Sequence, residues 1–190
     1  MSQTELYLSH TAAANLAARI AAELAPACER CEVAGSVRRQ KALVGDIEFV
    51  VIPKFAPSLI GDVLGVSLLD MTLVEMTERR RLIPAAKNEG ERLKRFWAGA
   101  LLDQQGQRFK IEINVSTPER WPVELAIKTG SAGFSHKLVT YRKYGGFLPG
   151  HWKIGDGWKV YVGEEQLLFE SERDFIEQIC GAWVAPEKRD

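Results

Sequence analysis

The clearest pattern along the chain is the alternation of apolar and polar positions in residues 46–51. This alternation predicts a strand in which Asp46 and Glu48 share one face, while Ile47, Phe49 and Val51 share the other. Two carboxylates on one strand face are oxygen ligands of the kind that hard cations prefer. The alternative is an edge strand whose polar side faces water.

A second alternating segment covers residues 108–115. Its odd positions are apolar, and Lys110, Glu112 and Asn114 occupy the even positions. The pattern predicts another strand with one polar face, and Glu112 is a candidate third carboxylate.

Helical spacing begins near the N-terminus. Residues from Ser9 to Leu24 are rich in alanine, with apolar residues four apart, and either Ser9 or Thr11 is a suitable N-cap. Pro26 follows where a helix stops. A short strand is expected from Arg30 to Ala34.

Weaker patterns predict three further elements. These are a helix over 58–64, a strand over 73–76, and a helix over 132–144 that ends at Gly145-Gly146.

The segment Gly35-Ser36-Val37-Arg38-Arg39 lies between the strand predicted from Arg30 to Ala34 and the strand predicted over 46–51. Gly35 permits a close backbone approach to a ligand, and N–H groups beside the Ser36 hydroxyl are suited to phosphate oxygens. Arg39 adds a charge-assisted donor. A polyphosphate held here would lie close to a cation bound by Asp46 and Glu48. The alternatives are an ordinary turn and a solvated pair of arginines.

Composition narrows the class of protein. The chain has 190 residues, 46% of them hydrophobic, and a formal net charge of zero, which is typical of a soluble globular protein. Since there is no overall positive charge, nucleic-acid binding would depend on local basic patches. A candidate patch spans residues 79–95 and includes Lys94 and Arg95, although a solvated hairpin explains those charges equally well.

No apolar run approaches the length of about 20 residues that spans a bilayer, and no signal-peptide pattern is present, so a cytoplasmic location is expected (host-cell cytoplasm for a viral protein). Cys28, Cys31 and Cys180 suit a reducing compartment. The single Cys28-x-x-Cys31 pair favours free thiols over a zinc site.

Together, the Gly35–Arg39 run and the following Gly45-Asp46-x-Glu48 resemble the signature of the family X DNA polymerases, the DNA polymerase beta group. The segment Gly90-Glu91-x-x-Lys94-x-Phe96 is similar to the hairpin before the family's third carboxylate, which Glu112 matches. Glu48 and Glu112 are departures, because the family usually has Asp at both positions.

A second match lies in the C-terminal third. Thr129-Gly130-Ser131 followed by Phe134 resembles the turn that opens the family's nucleotide-binding subdomain, and residues 167–189 resemble its closing helix and tail. Ile127-Lys128 replaces an aromatic pair that screens the sugar 2′-hydroxyl. Ser135 and Val139 replace Asn and Arg, which touch the new base pair, so the resemblance leaves sugar selection, fidelity and template dependence open.

The resemblance implies an α+β fold. A nucleotidyltransferase palm with a mixed sheet and two helices would occupy residues 1–118, and a small α/β nucleotide-binding subdomain would occupy residues 119–190. The family's lyase and helix-hairpin-helix domains would be absent from such a minimal form. A monomer without a membrane partner is expected.

The implied activity is DNA-directed DNA synthesis at a primer 3′ end, as in short-gap repair, by two-metal phosphoryl transfer. Asp46, Glu48 and Glu112 would bind two Mg²⁺ or Mn²⁺ ions, and Glu112 would accept the primer hydroxyl proton. The longer Glu side chains suggest a preference for Mn²⁺. Deoxynucleoside triphosphate would contact residues of the two turns (Gly35, Ser36, Arg39, Thr129, Gly130, Ser131 and Ser135), and gapped or primed DNA would contact basic side chains (Lys94, Arg95, Lys137, Arg142 and Lys143).

Two other functions fit the same residues. One is a template-independent or small-acceptor nucleotidyltransferase, and the other is a catalytically dead palm that only binds nucleic acid.

Overall fold

The computed structural model describes residues 6–57, 65–79, 81–85, 96–102 and 108–190. They form a mixed α+β structure, which confirms the predicted fold class and its mixed sheet. The chain divides into two compact units. Unit 1 contains Met1–Val33 and Ala42–Val115, and unit 2 contains Ala34–Lys41 and Ser116–Asp190. The sequence analysis divides the chain once, after residue 118. It does not predict that Ala34–Lys41 belongs to the same unit as the C-terminal part.

The strands of both units range from two to eight residues in length. In chain order they are β1 (Leu8–Ser9), β2 (Cys28–Val33), β3 (Leu43–Val44), β4 (Asp46–Pro53), β5 (Phe55–Ala56), β6 (Val66–Ser67), β7 (Leu82–Pro84), β8 (Phe96–Leu102), β9 (Arg108–Val115), β10 (Trp152–Ile154), β11 (Val160–Val162) and β12 (Glu165–Leu167).

The α-helices of the described residues are α1 (His10–Leu24), α2 (Gly35–Arg38), α3 (Leu68–Glu78), α4 (Trp121–Thr129), α5 (Ala132–Val139) and α6 (Glu172–Cys180). Single 3₁₀ turns cover Ala25–Ala27, Arg142–Tyr144, Asp156–Trp158 and Pro186–Lys188. In the described parts of the chain, no helix has the length and apolar character needed to cross a membrane. The helix predicted over 58–64 lies outside the described residues.

Unit 1 is built on a five-stranded sheet with the order β2-β4-β9-β8-β7. The pairing of β4 with β9 is parallel, and the other three pairings are antiparallel. The two alternating segments of the sequence are therefore neighbouring strands at the centre of the sheet.

Burial along β4 and β9 shows where their polar face is open. In each strand the first residues alternate between exposed or half-buried and buried, whereas the last residues are buried on both faces. Because the two strands are parallel, their half-polar beginnings lie at the same end of the sheet. This end carries Asp46 and Glu48 on one strand and Lys110 and Glu112 on the other.

Helix α1 follows the sequence prediction closely. The Ser9 hydroxyl accepts a hydrogen bond from the Ala12 N–H, so Ser9 is the N-cap. The buried positions are Ala13, Ala17, Ile20 and Leu24, which form one stripe that packs against β2.

The predicted strand over 73–76 is wrong, because these residues belong to α3. Ser67 caps this helix by accepting a hydrogen bond from the Asp70 N–H at 3.2 Å. Leu69, Leu73 and Met76 are the buried positions, at helical spacing. A four-residue apolar run cannot distinguish the two structures, and the cap that decides lies six residues upstream.

In unit 2, α4, α5 and α6 and the antiparallel sheet β10-β11-β12 share one apolar core. Phe169 contacts two other rings of this core, with ring centroids 5.8 Å from Trp152 and 5.0 Å from Phe175. The helix predicted over 132–144 is interrupted: α5 ends at Val139, because Thr140 is extended (ψ 134°), and a separate 3₁₀ turn follows.

A buried carboxylate, Glu172, connects three distant parts of unit 2. Arg38 binds it through two parallel hydrogen bonds of 2.8 and 2.6 Å, and Arg189 donates a third of 2.7 Å. The Arg189 side chain is completely buried, and that of Glu172 is 7% exposed. Desolvation lowers the pKa of Arg189, while the adjacent carboxylate opposes that shift.

We expect Glu172→Gln to lower the free energy of unfolding by about 3 kcal/mol, because a buried arginine loses its counter-charge. Urea denaturation followed by tryptophan fluorescence measures this change. The control is Glu177→Gln, since Glu177 pairs with Arg173 on the exposed face of the same helix, where such a pair contributes about 0.5 kcal/mol. Equal effects of the two substitutions would contradict the prediction.

Candidate functional site

The open end of β4 and β9 carries the predicted acidic residues. Asp46 is in register with Lys110, and Glu48 is in register with Glu112. In a parallel pair, residues at the same level have side chains on the same face. Glu112 therefore lies on the neighbouring strand, beside the two carboxylates that the sequence pattern places on one face of β4.

Lys110 lies among these carboxylates. Its Nζ is 2.6 Å from Oε1 of Glu112 and 3.5 Å from Oδ2 of Asp46. The hydrogen bond to Glu112 is the main cause of the raised pKa of Lys110, with a smaller contribution from Asp46. The lysine is therefore a charged partner of both acids.

The donor chemistry of Asp46, Glu48 and Glu112 fits a hard divalent cation, because all three offer carboxylate oxygens. In the ranges that the structure describes, no three His, Cys, Asp or Glu residues form a group that could hold a metal ion. The Lys110 ammonium is the cation that two of the carboxylates contact instead.

Asn114, the third polar residue of β9, has a different role. It is 2% exposed and donates a hydrogen bond to the Phe49 carbonyl at 3.1 Å. This bond ties β9 to β4 and is structural.

The Gly-Ser segment folds as one helical turn in unit 2. Gly35 adopts φ 59°, which favours glycine, and Gln40 adopts φ 58°, which costs an L-residue about 1 kcal/mol. The Ser36 hydroxyl oxygen is buried and has no hydrogen-bond partner among the described residues. A buried hydroxyl without a partner is unfavourable, so this atom is a candidate ligand-binding group.

The two arginines of this segment bind to the other predicted turn rather than facing solvent. Arg38 Nη1 donates to the Thr129 hydroxyl at 2.6 Å, and Arg39 Nη1 donates to the carbonyls of Thr129 and Gly130. The Nε of Arg39 is buried without a partner in the described part of the chain. Arg39 thus fixes the turn, and Nε is a donor that these contacts leave unused.

The Thr129-Gly130-Ser131 turn connects α4 to α5. Gly130 is required by space, because a Cβ there would lie 2.8 Å from the Ser135 hydroxyl. Ser131 caps α5 by accepting from the Phe134 N–H at 3.1 Å, and Thr129 is completely buried. The turn is therefore a rigid corner fixed by Arg38 and Arg39.

Ile127, Ser135 and Val139 are positions at which the sequence departs from the pattern that it otherwise resembles, and the structure shows the surroundings of each. The Ser135 hydroxyl donates to the Ile127 carbonyl, while the Ile127 side chain packs in the core of unit 2. Val139 is 36% exposed at the end of α5.

The predicted DNA-binding residues divide into three groups. Lys137 and Lys143 are exposed, and their ammonium groups lie over the rings of Phe147 and Tyr144 at 5.8 and 4.8 Å from the centroids. Arg142 is bonded to the backbone instead, donating to the carbonyls of Phe147 and Ile179. Lys94 and Arg95 lie outside the described residues.

No protein-family model matches the chain. No curated protein matches it either. The candidate site therefore rests on its own residues.

Three residues with evident roles were not singled out by the sequence patterns. Lys110 is on the same strand face as Glu112, so alternation could have placed it beside the carboxylates. Glu172 and Arg189 have no local signal, because they are 17 residues apart and the other partner of Glu172, Arg38, is more than 130 residues away in the chain.

The cysteines are in an environment that disfavours the thiolate. Burial raises the pKa of Cys28 to about 11 and that of Cys31 to about 12, and it also raises the pKa of Cys180. Since zinc binds thiolates, this environment disfavours metal binding by the Cys28-x-x-Cys31 pair.

We expect Cys28 and Cys31 of the folded protein to react with iodoacetamide at pH 8 at least about 100-fold more slowly than in urea, where the thiol pKa is about 8.5. Mass spectrometry of the alkylated peptides measures both rates. Because folding favours the protonated thiols, stability should also fall as the pH rises from about 9 to about 11. Fast alkylation in the native protein, or stoichiometric zinc binding, would contradict this prediction.

Proposed function

We propose that the protein is a metal-dependent nucleotidyltransferase that adds deoxynucleotides to a primer 3′ end, as in short-gap filling of DNA. The observation that supports this most is the register of β4 and β9, in which Glu112 lies opposite Glu48 and beside Asp46 at one open end of the sheet. Three carboxylates in this relation would supply the protein's ligands for two divalent ions.

In this proposal Asp46, Glu48 and Glu112 hold two Mg²⁺ or Mn²⁺ ions, which supply Lewis acidity toward phosphate oxygens when bound. Glu112 accepts the proton of the primer 3′-hydroxyl, which makes that oxygen nucleophilic. Each of the two Glu side chains is one methylene longer than Asp, which favours the more tolerant Mn²⁺.

The phosphate end of the nucleotide is assigned to Ser36 and Arg39. The Ser36 hydroxyl and the Arg39 Nε are buried donors without partners in the described residues, so each can bond to a phosphate oxygen. Bonds from these two donors would stabilise the negative charge that develops on the leaving pyrophosphate.

A second candidate is template-independent transfer to a DNA end or a small acceptor. The observation that favours it is the state of Ser135, whose hydroxyl donates to the Ile127 carbonyl and so has its proton engaged within the protein. A nucleic-acid-binding module without activity is the third candidate.

We expect Asp46→Asn to reduce primer extension at least about 1,000-fold, equivalent to about 4 kcal/mol of transition-state stabilisation, because a charged ligand is lost. The assay uses gapped, recessed and single-stranded DNA in Mg²⁺ and in Mn²⁺. Extension of the gapped substrate alone supports templated synthesis, and extension without a template supports the second candidate.

The matched control for this assay is Glu32→Gln. Glu32 is an exposed carboxylate on β2, the other neighbour of β4. Its substitution should leave the rate of primer extension within about twofold of the wild-type rate. If Asp46→Asn keeps a tenth of the wild-type rate, or if the wild type incorporates no nucleotide in either metal, the proposed function is wrong.

We expect Ser36→Ala to weaken binding of a deoxynucleoside triphosphate about tenfold without lowering the stability of the free protein. The hydroxyl has no hydrogen-bond partner among the described residues, and removing a buried polar atom without a partner is neutral or stabilising. Calorimetric titration with the triphosphate and with the unphosphorylated nucleoside, together with thermal melting, measures both effects. A large loss of stability with unchanged triphosphate binding would show that the hydroxyl is structural.

A further inference from the structure

The position of Lys110 in the sheet fixes its ammonium beside two carboxylates. Parallel pairing of β4 and β9 sets Lys110 level with Asp46, two residues before Glu112 on its own strand. Side chains two residues apart on a strand share a face. The 2.6 Å contact with Glu112 therefore follows from the alternation within β9, and the 3.5 Å contact with Asp46 follows from the register of the two strands.

The negative charges of this face favour a cation at this position. Three negative groups on one face of two adjacent strands repel one another, and like charges directly opposite in a sheet are destabilising. Lys110 supplies one positive charge to this face, in the absence of any bound ion.

The Lys110 ammonium is also able to move away from the two carboxylates. Its side chain is 55% exposed, whereas that of Glu112 is 16% exposed and that of Asp46 is 31% exposed. A lysine side chain has a flexible four-carbon stem, so its ammonium can move into water without disturbing the strand. The carboxylates stay in place because their strands are central in the sheet.

We propose that Lys110 is a built-in competitor for the divalent cation, which holds Asp46 and Glu112 in the free protein and must leave before an ion can bind to them. This inference rests on the metal site of the proposed function. Its consequence is that the free protein binds divalent ions weakly, and that binding is an exchange of one cation for another.

The test is the affinity of the protein for Mn²⁺ alone, measured by electron paramagnetic resonance without nucleotide or DNA. Lys110→Met keeps most of the apolar stem and removes the charge, and it should bind Mn²⁺ at least about tenfold more tightly than the wild type, equivalent to about 1.4 kcal/mol. Lys110→Arg retains a cation and should bind Mn²⁺ as weakly as the wild type.

The matched control is Lys153→Met, at an exposed position on β10 in unit 2, which should leave the Mn²⁺ affinity unchanged. Asp46→Asn should abolish the tight binding in the Lys110→Met background. Thermal melting gives a second readout: without metal, Lys110→Met should melt below the wild type, and Mn²⁺ should raise its melting temperature by more.

The outcomes separate the two proposals. If the wild type binds Mn²⁺ and Lys110→Met binds it equally or more weakly, Lys110 is not a competitor, but the metal site stands. If neither protein binds Mn²⁺ at millimolar concentration, the metal site and the inference both fail. Should the methionine variant fail to fold, Lys110→Gln carries the same expectation.

Discussion

The parallel pairing of β4 with β9 is the constraint on which the candidate site depends. It brings Glu48 and Glu112 to the same level and adds Asp46 on the same face, so like charges are forced together where the polar face is open. The apolar halves of both strands make this register difficult to change, because a slip by one residue would turn their buried side chains outward. The sheet therefore keeps like charges close together, and Lys110 supplies a positive charge beside two of them.

In unit 2 the corresponding constraint is the Glu172 carboxylate. It accepts hydrogen bonds from Arg38, in the Gly-Ser segment, and from Arg189, which follows α6 in the chain. Arg38 also donates to the Thr129 hydroxyl. Two motifs that are about 90 residues apart in the chain are thereby fixed to each other. The bonds from Arg38 and Arg39 hold the Gly-Ser segment, in which Gln40 has a positive φ and the Ser36 hydroxyl is buried with no partner in the described part of the chain.

Sequence patterns predicted the features that depend on neighbours in the chain. The alternation in β9 and the cap and apolar stripe of α1 are local properties, and the structure confirms them. The strand expected at Leu73–Met76 was wrong because a short apolar run is compatible with both periods, and the Ser67 cap lies outside it. The bonds from Arg38 to Glu172 had no local signal at all, since they depend on tertiary packing. Lys110 is an intermediate case. Alternation predicts the strand face on which it lies, but its contact with Asp46 depends on the pairing of β9 with β4.

The formal charge of the face formed by Asp46, Glu48, Lys110 and Glu112 would change with each ion that binds. Three carboxylates and one ammonium give a formal charge of −2, and exchange of the ammonium for one divalent ion would make it −1. A second divalent ion would make it +1, which is the first state that attracts a polyphosphate. Binding of the nucleotide and of the second ion would then favour each other, because each reduces the charge that the other must overcome. In the free protein the ammonium of Lys110 changes the formal charge of this face from −3 to −2, so part of the repulsion is already offset before any ion binds.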